Sequence, residues 1–262
     1  MILTRLKAIP ALTATTALAT MLAMSASRSA GCQQLPLGSG NAPAVKTRHT
    51  ADSGLLPKAT DSGLIQGADG SFRDEGRGHQ AWFTSVGARI GVSHPDDPET
   101  EVAATFHLVD HGRHGHAASV TRCDPTQSRA DQLQYDHGLV LERYRVDAGG
   151  FEQSFVLRER PTGHGDYVLG VAVTGAGIEL PQLAPAHQSV SVRYQGCDAI
   201  RYGEAVVFER GGKPVPIATR CDGIGRIELI VPGAFLDHAS YPVVVDPAVG
   251  PVFLPAGSYF AD

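Results

Sequence analysis

The sequence contains none of the short motifs that usually identify an enzyme or a metal protein. It has no Cys-x-x-Cys pair, no His-Glu-x-x-His, no Gly-x-Ser-x-Gly and no glycine-rich phosphate loop. Aromatic residues make up only 6% of the chain, and Trp82 is the single tryptophan, which we expect in the core. A stacking platform for sugars is therefore poorly supplied, and no motif assigns a reaction.

Charge of one sign is also lacking. The net charge is −5, and acidic and basic residues are mixed along the chain. No basic stripe could follow phosphates, which argues against nucleic acid as a partner. Amphipathic runs of helix-forming residues are missing, whereas 30 glycines and 17 prolines favour strands and turns. With 262 residues, 42% of them hydrophobic, the chain can build a core of its own.

The N-terminus has the pattern of an export signal, predicted to cover residues 1–31. Arg5 and Lys7 form a basic start, and an apolar stretch too short to span a bilayer follows from Ala8 to Ala23. The sequence Ser-Ala-Gly-Cys that ends at Cys32 resembles a bacterial lipobox, in which the cysteine is lipidated. Three outcomes stay open: a lipoprotein anchored through Cys32, plain secretion or, less favoured, a retained membrane helix. Each places the mature part of the chain outside the cytoplasm.

The four cysteines fit that location, because disulfides persist outside the cytosol. Cys197 and Cys221 flank a predicted hairpin and are the expected disulfide pair. Lipidation of Cys32 would leave Cys123 as a free thiol. Without lipidation, a bridge between Cys32 and Cys123 becomes available.

Residues 32–76 are rich in Gly, Pro, Ser, Thr and Asp, with few apolar residues, and are predicted to be a disordered linker. Residues 77–250 are predicted to form one domain, and residues 251–262 a C-terminal tail.

Apolar and polar residues alternate with period two along that domain, which is typical of half-buried strands. Five sets share a face: Val102, Ala104, Phe106 and Leu108; Phe151, Gln153, Phe155 and Leu157; Tyr167, Leu169, Val171 and Val173; Val190, Val192 and Tyr194; Ile227, Leu229 and Val231. Hairpins are expected about Val86–Gly87 and Gly211–Gly212. We predict an all-β fold of about ten to twelve short strands, without a helix, forming two antiparallel sheets packed face to face.

The segment 107–123 carries four histidines and one cysteine. His107, His111, His114 and His116 could supply ligands for zinc or copper, as in a metal-binding protein or a metal-dependent hydrolase. However, Gly112 and Gly115 loosen the backbone that would have to hold the ligands. A solvated, histidine-rich loop is therefore the preferred interpretation, and no cofactor is expected.

Two motifs resemble an N-terminal domain of large exported bacterial proteins, in which it precedes FG-GAP or related β-propeller repeats. The segment Val146–Pro161 resembles the family's Gly-Leu-Glu-Gln-Gly-Phe strand with its following Arg-Pro, and Ala239–Pro247 resembles its closing Ala-x-Tyr-Pro-Leu-x-Ile-Asp-Pro. The resemblance covers about residues 80 to 250 and implies an extracellular β module without known catalytic residues. The sequence stops where the repeats would begin, so we expect a free-standing copy or a fragment.

Together these observations predict an exported or surface-anchored, non-enzymatic β module with a structural, adhesion or scaffolding role. Its expected partners are other cell-envelope proteins, and its only membrane contact would be a lipid on Cys32.

Overall fold

The computed structural model describes residues 63–76, 79–94, 97–147 and 150–251. The predicted signal peptide, Cys32 and residues 252–262 lie outside these ranges. The described part contains nineteen strands and one helix, which confirms the predicted all-β class. In chain order they are β1 (Ile65–Gln66), β2 (Phe72–Gly76), β3 (His79–Thr84), β4 (Gly87–His94), β5 (Asp97–Arg113), β6 (Ala118–Ser119), β7 (Thr126–Arg129), β8 (Gln132–His137), β9 (Val140–Asp147), β10 (Gly150–Leu157), β11 (Tyr167–Thr174), β12 (Ile178–Glu179), β13 (Gln182–Ala186), β14 (Val190–Tyr194), β15 (Cys197–Glu209), β16 (Val215–Pro216), β17 (Ala218–Asp222), β18 (Arg226–Val231), α1 (Gly233–His238) and β19 (Val243–Pro251).

The strands form two antiparallel sheets. The first sheet has the order β1-β2-β3-β4-β5-β11-β18-β17-β13, with β6 paired to β5. The second sheet has the order β12-β14-β15-β19-β10-β9-β8-β7, with β16 paired to β15. The number of strands exceeds the prediction because several two-residue edge strands are too short to show an alternating pattern.

Aromatic side chains from both sheets meet in the core. The ring centroids of Phe83 and Tyr144 lie 5.3 Å apart, and those of Phe106 and Tyr202 lie 5.8 Å apart. Phe83 and Phe106 come from the first sheet, whereas Tyr144 and Tyr202 come from the second. The two sheets therefore pack face to face, as the alternating pattern predicts.

Most of the predicted inward-facing residues are buried. All four members of the β5 set are at most 3% exposed, and the sets of β10, β11 and β18 are also buried. In β14, Val190 and Val192 are buried but Tyr194 is only partly so.

Trp82 does not lie in the core, where it was expected. It lies on the outer side of β3, half-buried, because its neighbours Ala81 and Phe83 occupy the inner side, and the guanidinium of Arg89 lies 4.5 Å from its ring centroid.

Two other features differ from the prediction. The first sheet begins before residue 77, since β2 pairs with β3 and Phe72 is buried in the core. A short helix, α1, lies between β18 and β19, where Pro232 occupies the N-cap position and Leu236 is buried. A six-residue helix shows no usable periodicity in the sequence, and this one was therefore not predicted.

The two predicted hairpins are present. Thr84 pairs with Gly87 across the Ser85–Val86 turn, and Val207 pairs with Val215 across the turn that contains Gly211 and Gly212. After β16 the chain crosses to the first sheet as β17.

Candidate functional site

The histidine-rich segment does not gather into one site. In β5, His107 lies opposite Ala172, whereas His111 lies opposite the core residue Leu169. The register between β5 and β11 shifts between these pairs, leaving Val109 without an opposite residue. Because side chains alternate between the faces of a sheet, this bulge places His107 and His111 on opposite faces.

His111 is engaged in packing. Its Nδ1 and the Tyr167 hydroxyl are hydrogen-bonded at 2.7 Å, and the two rings are stacked. Burial, with a contribution from nearby His137, lowers the pKa of His111, which favours its neutral form.

The other two histidines of the segment, His114 and His116, are exposed around the turn that follows β5. Gly115 in this turn has a φ of 80°, a left-handed conformation that suits glycine. Among the residues that the structure describes, no three His, Cys, Asp or Glu side chains are grouped so that they could hold a metal ion. The residues therefore do not fit the zinc or copper site that His107, His111, His114 and His116 suggested.

The expected disulfide between Cys197 and Cys221 is not present. Cys197 begins β15 in the second sheet, whereas Cys221 is buried in β17 of the first sheet. The sheet change after β16 separates the two residues, so they do not flank a shared hairpin. Cys32 lies outside the described residues, and its lipidation remains a prediction.

A cluster of polar side chains occupies the core side of the second sheet. We call it the inner polar cluster; it consists of His137, Glu142, Tyr144, Gln153 and Tyr202. Its hydrogen bonds run in a chain. Oε1 of Glu142 accepts from the Tyr144 hydroxyl (2.6 Å) and from Nε2 of Gln153 (2.8 Å), and the Tyr202 hydroxyl donates to Oε1 of Gln153 (2.9 Å).

His137 completes the cluster through Glu142. Its Nε2 lies 3.1 Å from Oε2 of Glu142, and the two side chains are only 5% and 3% exposed. A buried carboxylate is costly unless its oxygens are hydrogen-bonded, and here both oxygens have partners. Because a carboxylate can only accept, Nε2 of His137 must donate to it, so a neutral imidazole carries its lone pair on Nδ1.

The strand pattern explains how these side chains meet. In β8, Leu133 and Tyr135 point into the core, and His137 continues the same alternation. In β9, Val140, Glu142 and Tyr144 are all buried. The register pairs His137 with Val140, which makes Glu142 its diagonal neighbour, within reach of a long side chain.

Cys123 lies on the other side of the imidazole. It sits in the connection between β6 of the first sheet and β7 of the second, is partly exposed, and has its Sγ 3.8 Å from Nδ1 of His137. Sulfur, imidazole and carboxylate thus follow one another in the order nucleophile, base and orienting acid. In the sequence, Cys123 stands out only by its place at the end of the histidine-rich segment and by its possible pairing, and His137 and Glu142 were not predicted.

A small pocket opens beside these three groups. Its cavity volume is about 20 Å³, room for one water molecule, and it is partly open to solvent; His107, Arg122 and Val120 also line it. Burial, together with the charge of Arg122, lowers the pKa of His107. Binding pockets for small molecules are far larger, typically about 300–1,000 Å³. This pocket is therefore too small to enclose a substrate, and a reacting group would have to meet the sulfur from the solvent side.

Electrostatics keep the thiol protonated in the resting state. Burial raises the pKa of Cys123, a backbone hydrogen bond with Asp136 lowers it, and the charge of Glu142 raises it further. A preformed thiolate is thus disfavoured. The arrangement can instead use His137 as a general base that takes the thiol proton while the sulfur reacts.

A second titratable group lies in the second sheet, on β19. Burial raises the pKa of Asp246 to about 7, and the charge and hydrogen bond of Glu152 act in the same direction. Glu152 itself forms an ion pair with Arg145. The Asp246 carboxyl can therefore keep its proton up to about neutral pH.

Comparisons of the chain with known protein families, curated proteins and solved structures find no match. Within the described ranges, no helix is long and apolar enough to cross a bilayer.

Proposed function

We propose that the chain is an exported, non-enzymatic β-sandwich module that serves a structural, adhesion or scaffolding role among cell-envelope proteins. The main support is that the space between the two sheets is filled by a packed apolar core and a hydrogen-bonded polar cluster. Core residues run continuously from Phe72 in β2 to Val249 in β19, and the inner polar cluster satisfies its own hydrogen bonds. Such an interior favours rigidity, and the pocket beside Cys123 is smaller than most substrate sites.

The sequence supports export. A basic start, a short apolar stretch and the lipobox-like ending at Cys32 form a plausible leader, and the resemblance to N-terminal domains of large exported proteins agrees with it. In this proposal the module needs no cofactor, and it reaches a membrane only through a lipid on Cys32.

The mass of the mature N-terminus tests the location. We expect cleavage near residue 31, with the protein in an extracytoplasmic fraction, either acylated on Cys32 or released. A Cys32→Ala variant should lose any acyl mass but should still be exported if another cleavage site is used. Recovery of the full-length, unprocessed chain in the cytoplasm would contradict the proposal.

A turnover assay tests the absence of enzyme activity. The purified protein is incubated with chromogenic esters, peptides and glycosides, and product is measured against protein concentration. We expect at most one equivalent of product per chain. Continued release beyond one equivalent, lost in a Cys123→Ser variant, would show an enzyme and overturn the proposal.

A further inference from the structure

The connection between β6 and β7 joins the two sheets and also places Cys123 beside His137. It brings a thiol to one ring nitrogen of His137, whose other nitrogen is held by the buried carboxylate of Glu142. The Cys221 side chain offers a comparison within the same protein: it is 1% exposed in the core of the first sheet, and its pKa is also raised by burial. Cys221 therefore serves as the buried, unreactive reference thiol.

We propose that Cys123 is a nucleophilic thiol, positioned with His137 and Glu142, that exchanges with a disulfide outside the cytoplasm to form a mixed disulfide. The location in this statement rests on the proposed export of the chain, whereas the reactivity of Cys123 does not. The proposal adds a covalent attachment site to a module otherwise built for packing.

The exchange balances without an added oxidant. Cys123 gives its proton to Nδ1 of His137 as its sulfur attacks one sulfur of the incoming disulfide. A new S–S bond forms, the old one breaks, and the other half leaves as a thiolate that takes the proton back from the imidazole. One disulfide is consumed and one is formed.

The geometry suits a disulfide better than a larger acyl substrate. Attack on sulfur needs an accessible thiolate and an aligned S–S bond, but no pocket for a tetrahedral oxyanion. Cys123 is partly exposed and its pocket is partly open to solvent, so an S–S bond can approach the sulfur from the solvent side. Arg122 lines the same pocket, and its positive charge favours an anionic partner.

Glu142 has a positioning role in this scheme. Its carboxylate holds the Nε2 proton of His137, so that Nδ1 faces the sulfur as an acceptor. In a Glu142→Gln variant, the side-chain amide can donate to Nε2 and thereby move the imidazole proton to Nδ1. The wrong tautomer cannot accept the thiol proton.

Labelling kinetics on the reduced, purified full chain test the proposal. The protein reacts at pH 7.5 with 5,5′-dithiobis(2-nitrobenzoate), and the labelled cysteines are identified by mass spectrometry of the tryptic peptides 123–129, 194–201 and 221–226. We expect Cys123 to react at least about tenfold faster than Cys221. His137→Gln and Glu142→Gln should each slow Cys123 by about tenfold or more, in line with the loss of a general base.

His114→Gln is the control, because His114 is an exposed histidine that does not line the pocket. It should change the rate by less than about twofold, since it removes no proton acceptor beside the sulfur. Near-UV circular dichroism checks that each variant is folded. Labelling of Cys123 no faster than that of Cys221 would overturn the proposal, as would unchanged rates in both folded variants, His137→Gln and Glu142→Gln.

Two further arms distinguish the source of the disulfide. Oxidised glutathione represents a small molecule, and a disulfide-linked peptide dimer represents a protein partner. An adduct on Cys123 with either disulfide supports the exchange and identifies that class of source. If neither disulfide forms an adduct, the proposed exchange is overturned. A chain that proves cytoplasmic but keeps the rapid labelling would refute the export proposal alone.

Discussion

Replacing Glu142 with alanine should strongly destabilise the protein. The substitution removes the acceptor for the Tyr144 hydroxyl and for Nε2 of His137, and one of the two acceptors that Nε2 of Gln153 has. The Tyr144 hydroxyl and Nε2 of His137 lose this acceptor, and each buried polar group left without a partner costs about 1–3 kcal/mol. We therefore expect a loss of about 3–5 kcal/mol, a large share of the roughly 5–15 kcal/mol that stabilises a typical domain.

Urea denaturation measures this loss, followed by far-UV circular dichroism and by the fluorescence of Trp82, the only tryptophan. Glu142→Gln keeps one oxygen for Tyr144 and Gln153 and should cost only about 1 kcal/mol. Glu101→Ala is the surface control: Glu101 is 43% exposed and paired with Arg89, so its loss should stay below about 1 kcal/mol. A loss at Glu142→Ala no larger than that at Glu101→Ala would refute the reasoning.

Three further changes have distinct expected results. Phe106→Ala removes a fully buried ring between the sheets and should cost about 3–5 kcal/mol in the same denaturation assay; a loss below about 1 kcal/mol would contradict the face-to-face packing. Asp246 has a raised folded pKa, so the stability that its proton contributes is present below an unfolded pKa of about 4 and is lost as the pH rises through about 7. Asp246→Asn should therefore gain stability relative to the parent between pH 4 and pH 8, by about 1 kcal/mol after allowing for solvent screening, and a difference independent of pH would contradict this. His114→Ala with His116→Ala should change stability by less than about 0.5 kcal/mol and leave metal content unchanged, whereas loss of stoichiometric zinc would restore the metal interpretation.

The alternating pattern was sufficient to predict the sandwich. In β5, β10, β11 and β18, period-two alternation identified which side chains face the core, because burial of one face is what selects such a sequence. The same rule would have found Glu142, which occupies a buried position between Val140 and Tyr144. It was not predicted because a carboxylate in the inward phase of β9 interrupts the apolar pattern that marks a core face.

The remaining features depend on contacts between distant parts of the chain. The β5 bulge at Val109 places His107 and His111 on opposite faces of the sheet, although regular alternation would put them on the same face. Nothing in the sequence marks this bulge. Cys123 meets His137 only because the connection from β6 to β7 crosses between sheets and returns along β8. Trp82 was assigned to the core from its residue type, but the phase of β3 placed it outside. Residue type is a weak guide where the alternation gives a clear answer.

The tautomer of His137 is the most direct test of the site, because the orientation of its lone pair decides whether Cys123 can react. Nitrogen-15 NMR of the imidazole, at a pH where His137 is neutral, distinguishes the two ring nitrogens. We expect the proton on Nε2, facing Glu142, and a bare Nδ1 facing Cys123. A proton on Nδ1 in the folded protein would contradict the arrangement of thiol, base and carboxylate.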